Sequence, residues 1–289
     1  MATDMIIETD VGNDPDDFFT LCHLVTAGVN IKAILISPGD PEQVRLVRFF
    51  CDQVGLDIPI GVGKLDRYKR WKLGVHTELL ERYKYPDNTK HDGFSGDIAT
   101  DILKNNDPDI FIIGPAKGIG SFLKDNPDFE GSKATMQGGF VGYHLYPPKI
   151  RLEKFEDRVW VPTFNLNGDR KGGMRFIDSK IKRKQFVSKN ICHTVVYDRD
   201  KYNKMNTPRD RASELYMETM HLYLSKHNEK KFHDPCAAVC HMHPEVGTWI
   251  RGKICKMESG WGAVLDENGD YLIADLDYDA FWEHIYQWS

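Results

Sequence analysis

Short apolar runs alternate with segments of helical apolar spacing through the first half of this chain, and that alternation restricts its fold most. Met5-Ile6-Ile7-Glu8-Thr9 reads as a strand, and Phe18 to Gly28 as a helix behind an acidic loop. Residues 31–37 form a second strand-like run, and a helix is expected from Glu42, with Val44, Val47, Phe50, Cys51 and Val54 at helical intervals. Residues 58–63, 109–114 and 133–139 are further short strands bounded by Gly, Pro or Asp. Strand–helix repeats of this kind close as parallel pairs with helices on the faces. The fold class expected is therefore α/β, with a mostly parallel central sheet flanked by helices.

After Gly142 the pattern loosens. Residues 143–162, rich in aromatics, prolines and charges, read as a loop or insertion over the sheet. A long helix is expected from Pro208 to Asn228, and Asn268-Gly269 between alternating apolar residues signals a C-terminal β-hairpin. No repeat, low-complexity tract or flexible linker divides the sequence, so residues 1–289 are expected to form one domain.

The net charge of −5 argues against a nucleic-acid or acidic-membrane partner, each of which asks for a basic surface. The run Lys180, Lys182, Arg183 and Lys184 is expected to be a solvated surface. No apolar stretch reaches the roughly 20 residues needed to span a bilayer. The opening MATDMIIETD lacks a signal-peptide pattern, so a cytoplasmic location is expected. The six cysteines contain no CxxC pair and are expected to be reduced, mostly buried thiols. Cys236 and Cys240 share a helix face, but with only His241 and His243 nearby they give thin support for zinc.

The richest segment is Glu8-Thr9-Asp10-Val11-Gly12-Asn13-Asp14-Pro15-Asp16-Asp17. In a parallel sheet, the loop leaving the carboxyl end of a strand is where ligands bind. Converging carboxylates require protons or a cation, and an all-oxygen set suits calcium or magnesium. The acids could equally begin the following helix, with Asp as cap and Pro in the first turn. On these residues alone both readings stand. An EF-hand is excluded, because the required glycine position is Pro15 and the twelfth is Leu21. A Rossmann phosphate loop fails for want of a glycine triad. A phosphatase with an Asp nucleophile is a third, weaker reading, because Glu8-Thr9-Asp10 stands where Asp-x-Asp is expected.

The acidic segment resembles the calcium-binding signature of the inosine–uridine-preferring nucleoside hydrolase family, in a version with two extra residues before the final Asp pair. Four further landmarks follow in the family's order. Ile112-Ile113-Gly114-Pro115-Ala116-Lys117 is similar to its strand-then-Gly-Pro segment, and Met136-Gln137-Gly138-Gly139-Phe140 to its Met-Gly-Gly turn. Phe164-Asn165 with Asp169 resembles its ribose-binding Phe-Asn segment, and His233-Asp234 its His-Asp pair. Each alone reads as a turn or helix start; their order along nearly the whole chain makes the resemblance.

The resemblance implies a Rossmann-like nucleoside hydrolase fold, a homodimer or homotetramer, and a small-molecule nucleoside-like substrate. It implies hydrolysis of the bond between ribose and base by a calcium-bound water, through an oxocarbenium-like sugar. Asp10 would be general base and calcium ligand; Asp17, Asp234 and the Lys117 carbonyl would be further ligands. Asp16 and Asn165 would hold the ribose diol, with Asp234 beside it, and His233 would protonate the leaving base. The chain departs from the family at Asp40, where Gly39-Asp40 replaces Gly-Asn, and at Thr163, where Glu is usual. Both positions are expected to touch the sugar. The alternatives are a glycosidase for a modified nucleoside or another ribosyl compound, and a calcium-bound binding protein without catalysis.

Overall fold

The computed structural model describes residues 2–64, 72–205 and 207–287. Strand β1 (Asp4–Thr9) leads through α1 (Pro15–Thr26) to β2 (Asn30–Ile36), and α2 (Pro41–Val54) leads to β3 (Ile60–Val62). Helix α3 (His76–Arg82), β4 (Gly93–Phe94), α4 (Ser95–Asn105), β5 (Asp109–Ile112), α5 (Lys117–Asp125) and β6 (Lys133–Gln137) continue the alternation. Next come β7 (Trp160–Val161), α6 (Phe164–Gly168), α7 (Arg170–Ile177), β8 (Arg183–Val187) and α8 (Lys189–Cys192). A small pair, β9 (Val196–Asp198) and β10 (Glu229–Lys231), encloses α9 (Arg199–Lys204) and α10 (Arg211–Leu224). Helix α11 (Asp234–Met242), strands β11 (Gly247–Met257), β12 (Gly260–Leu265) and β13 (Asp270–Leu276), and α12 (Tyr278–Tyr286) complete the chain.

One sheet runs in the order β4-β3-β2-β1-β5-β6-β8-β13-β11-β12-β7, drawing strands from both ends of the sequence. From β4 to β13 every pairing is parallel; β11, β12 and β7 add antiparallel pairings at one end. Strand β1 is central, and Met5, Ile6 and Ile7 are fully buried, as expected of a strand covered on both faces. Helix α1 packs against α10 and α11 and buries Phe18, Phe19, Leu21 and Leu24 completely. Each such side chain contributes about 1.5–3 kcal/mol. The chain proceeds outward from β1 through β2, β3 and β4, then returns to place β5 on the other side of β1. The loops leaving β1 and β5 therefore diverge, which opens a crevice at the carboxyl ends of these two strands.

Three expectations change. The tight hairpin lies at Glu258-Ser259, joining β11 to β12, where Met257 pairs with Gly260. Asn268-Gly269 instead links β12 to β13, which lie on opposite sides of β11. Eleven residues let β11 serve both, pairing Gly247–Gly252 with β13 and Gly252–Met257 with β12. Residues 143–162 are not wholly irregular, since three 3-10 turns and the edge strand β7 lie there. Lys184 is buried rather than solvated: its ammonium donates to the Ile177 and Ser179 carbonyls and pairs with Asp270 at 3.5 Å. All six cysteines are free, five of them buried. Among the described residues no helix is long and apolar enough to cross a membrane.

Candidate active site

The acidic loop leaves β1 at the crevice and is held from three sides. From within the loop, the Thr9 hydroxyl accepts from the Val11 amide at 3.1 Å and donates to the Asp17 carboxylate. From α2, the amide of fully buried Gln43 donates to the carbonyls of Asp10 (3.1 Å), Val11 (2.9 Å) and Ser37 (3.2 Å). Its oxygen accepts from the Gly39 and Asp40 amides at 3.1 and 3.0 Å, so one side chain ties the loop after β1 to the loop after β2. Gly39 has φ +92°, and a Cβ there would lie 2.7 Å from the Val62 Cβ, so only glycine fits.

The third support is Glu8, buried on β1. Its carboxylate accepts from the Gly118 and Ile119 amides at 2.6 and 3.0 Å, at the start of α5, and from the Ser37 hydroxyl at 3.2 Å. Burial raises Glu8 to about 7, against the pull of those amides. The same contacts fix the Gly114-to-Lys117 turn against β1. Gly114 must be glycine, because a Cβ there would lie 2.6 Å from the Asp10 nitrogen and 3.0 Å from its Oδ1.

Asp16, Asp17 and Asp234 are all buried, and each offers an oxygen within 4.8 Å of the others. Two unit charges 4.8 Å apart repel by roughly 3 kcal/mol at an effective dielectric near 20, so three ionised carboxylates cannot stand alone. Burial, then the charge of Asp16, raises Asp17 to about 7, with the Thr9 hydroxyl opposing. Asp234 is pushed well above the carboxylate range by burial and by Asp17, Asp16 and Asp10. Half-buried Asp10 is pushed up in the same way by burial and by Asp17, Asp16 and Asp14. Asp16 goes the other way: burial opposes its charge, but Lys230 and His233 overcome it and hold the carboxyl below its ordinary value.

Lys230, itself buried, lies 2.8 Å from Asp14 and 3.2 Å from Asp16. His233 Nδ1 is 3.5 Å from Asp16, and the ring meets His193 edge-on at 5.0 Å. The Lys154 ammonium donates to His193 Nδ1 at 2.5 Å, placing basic groups on the rim beyond His233. Asn165 is anchored by its amide, which donates to the Ile113 and Gln137 carbonyls and to Gln137 Oε1, the last at 2.8 Å.

The structure thus brings Asp16, Asp17 and Asp234 together, with Asp10 and His233 electrostatically or directly engaged. Lys117 opens α5 above the Glu8 carboxylate. Asp40 is buried and caps α2, its Oδ1 accepting from the Glu42 amide at 2.8 Å. Buried Thr163 precedes α6 and makes no capping bond, and its hydroxyl has no hydrogen-bond partner among the described residues. The Asp234 Oδ1 is likewise unpartnered.

Sequence reasoning missed Glu8, Gln43, Lys230 and His193. Gln43 was findable, because Asp40-Pro41-Glu42-Gln43 has the capping-box pattern, and both of its bonds form. Nothing local distinguishes Lys230 or His193, whose roles arise only when β10 and α8 meet the acidic loop.

An oxygen-liganded divalent cation fits this site on its own chemistry. The donors are all carboxylate oxygens and, among the described residues, the charges lack enough neutralising partners and one buried oxygen is unpaired.

No family model matches the sequence. A protein of Aquifex aeolicus described as uncharacterized is 26% identical, over 91% of each chain. Among solved structures, a plant nucleoside hydrolase superposes with a TM-score of 0.76 at 15% identity, covering 100% of this chain and 99% of that one. An inosine–guanosine nucleoside hydrolase gives 0.74 at 15%, covering 100% and 98%. An inosine–uridine-preferring nucleoside hydrolase from Bacillus anthracis gives 0.70 at 12%, covering 100% and 99%. The fold is that of the nucleoside hydrolases.

Proposed function

We propose that this chain, built on the nucleoside hydrolase fold, is a calcium-dependent N-ribohydrolase that cleaves the bond between ribose and base in a nucleoside-like compound. The observation that carries the reading is the buried trio Asp16, Asp17 and Asp234 at the crevice, with unpaired Asp234 Oδ1 among them. Asp10, Asp17, Asp234 and the Lys117 carbonyl would hold the cation. When bound, calcium supplies a positive charge that orients ribose hydroxyls and acidifies water.

The remaining work falls to the chain. Asp10, which follows directly on the carboxyl end of β1, is the base that takes up the water's proton. Asp16, kept ionised by Lys230 and His233, accepts from a ribose hydroxyl and stabilises positive charge developing on the sugar. The Asn165 amide is fully occupied by Ile113 and Gln137, so its Oδ1 is the atom available to the ribose. His233, on the open side of Asp16, delivers a proton to the departing base.

Thr163 favours a second reading within the same class. A buried hydroxyl without a partner suits a sugar or base whose polar pattern differs from that of common nucleosides. The test is a release assay with calcium, scoring free base and reducing sugar across ordinary nucleosides, modified nucleosides and nucleotides. Release from at least one ribosyl compound, abolished by chelation, supports the proposal. Calcium binding with no release from any of them would make this a binding protein instead.

A further inference from the structure

His243 had no partner in sequence that made a metal site, but the fold supplies two. It ends α11, Glu245 lies in the 3-10 turn Pro244–Val246, and His284 sits in the last turn of α12. Ligating atoms of all three lie within 4.8 Å of one another. His243 Nδ1 is 3.4 Å from the Glu245 carboxylate, and the two imidazoles stack at 3.7 Å with 14° between their planes. Both histidines are half-buried and Glu245 is exposed, so the cluster is open to solvent. We propose that His243, Glu245 and His284 form a second metal site, for a divalent transition-metal ion of the zinc class.

Donor chemistry separates it from the acidic crevice. Two imidazole nitrogens and one carboxylate suit zinc, and three protein ligands leave a position for water. The all-oxygen trio at the crevice suits a hard cation instead. The two sites mark opposite ends of α11: nine residues, at about 1.5 Å each, separate Asp234 from His243 by roughly 14 Å.

An exposed His–Glu ion pair contributes little toward holding two rings face to face. A shared cation gives both rings a reason to be there, because stacked imidazoles repel when both are protonated and offer lone pairs when neutral. Fully buried His23 on α1 has neither ring nitrogen bonded among the described residues, and its charged form is disfavoured by burial and then by His243 and His284. Burial keeps that ring neutral, so it adds no repelling charge to an incoming cation. Parallel rings aim their lone pairs side by side, so capture requires one ring to tilt. His284 is two residues from the end of α12, where a helix yields most easily. The bound ion would clip α12 to the end of α11.

The experiment uses the full chain in calcium excess, so that the acidic site is filled. Zinc is titrated by calorimetry and cobalt by visible absorption. The expected result is one zinc equivalent at micromolar affinity or tighter, cobalt bands of a nitrogen-containing low-coordinate site, and a rise in Tm of several degrees with zinc. His284→Ala, His284→Gln and His243→Ala should each weaken zinc at least tenfold while keeping the far-UV circular dichroism of the parent. Asp234→Asn should leave zinc affinity unchanged. The proposal is overturned if the parent binds no zinc, if the folded histidine variants bind it as the parent does, or if Asp234→Asn abolishes binding.

Discussion

Replacing Gln43 by Leu keeps much of the side-chain volume and removes five hydrogen bonds at once. The Gly39 and Asp40 amides lose a buried acceptor at 3.1 and 3.0 Å, and three carbonyls lose a donor. An unsatisfied buried group costs about 1–3 kcal/mol, and the carbonyls retain a second lone pair, so the two amides dominate. The expected destabilisation is about 2–6 kcal/mol. The second consequence is specific to the site. Gln43 is what holds the Asp10 and Val11 carbonyls, so its loss frees the loop that carries Asp10 and leads into Asp16 and Asp17 at the start of α1. Supports of this kind typically change metal affinity about 10–100-fold. Urea unfolding without metal measures the first effect, and calcium calorimetry on the folded variant measures the second. Destabilisation below about 1 kcal/mol together with unaltered calcium affinity would refute the role assigned to Gln43.

In the metal-free protein, Glu8 and Asp17 keep protons up to about 7, whereas their ordinary values are 4.5 and 3.8. The native state then binds more protons than the unfolded chain between about pH 4 and 7, so stability falls as pH rises through that window, by at most about 1.4 kcal/mol per pH unit per group. Thermal unfolding with chelator should show Tm dropping across this range, and calcium should remove most of the drop; a rising Tm without metal contradicts the charge account. Asp10→Asn should lower release of base on the order of 10²–10⁴-fold while leaving unfolding nearly unchanged, and near-normal turnover would remove Asp10 as the base. Thr163→Val deletes an unpaired buried hydroxyl, so the fold should be unaffected or gain up to about 1–3 kcal/mol, while KM for the true substrate rises. Loss of stability instead would show that the hydroxyl is bonded within the fold.

The fold was legible because β1, β2, α1 and α2 declare themselves locally, through apolar runs and through Pro15 and Pro41 at helix starts. The C-terminal turn was misplaced for a physical reason: Asn-Gly reports a tight reversal but not whether a third strand slips between the reversed pair, as β11 does. The acidic loop was visible as a concentration of like charge. Its supports were not, since nothing local sets Glu8 apart from other strand residues or Lys230 apart from other lysines. Burial turned Glu8 into an acceptor for two amides, and packing of β10 turned Lys230 into the counter-charge of Asp16. Asp40 shows the converse, since its capping role is written locally in Asp40-Pro41-Glu42-Gln43.

In the proposed function, one hard divalent cation holds the carboxylates of the crevice together beside the ribose site. Diffraction from crystals grown with calcium and soaked with ribose tests it directly. The expected density is a single ion at about 2.3–2.6 Å from oxygens of Asp10, Asp17 and Asp234 and from the Lys117 carbonyl, with sugar hydroxyls against Asp16 and Asn165. An empty crevice in saturating calcium, or an ion bound with Asp10 and Asp234 turned away from it, would contradict the account.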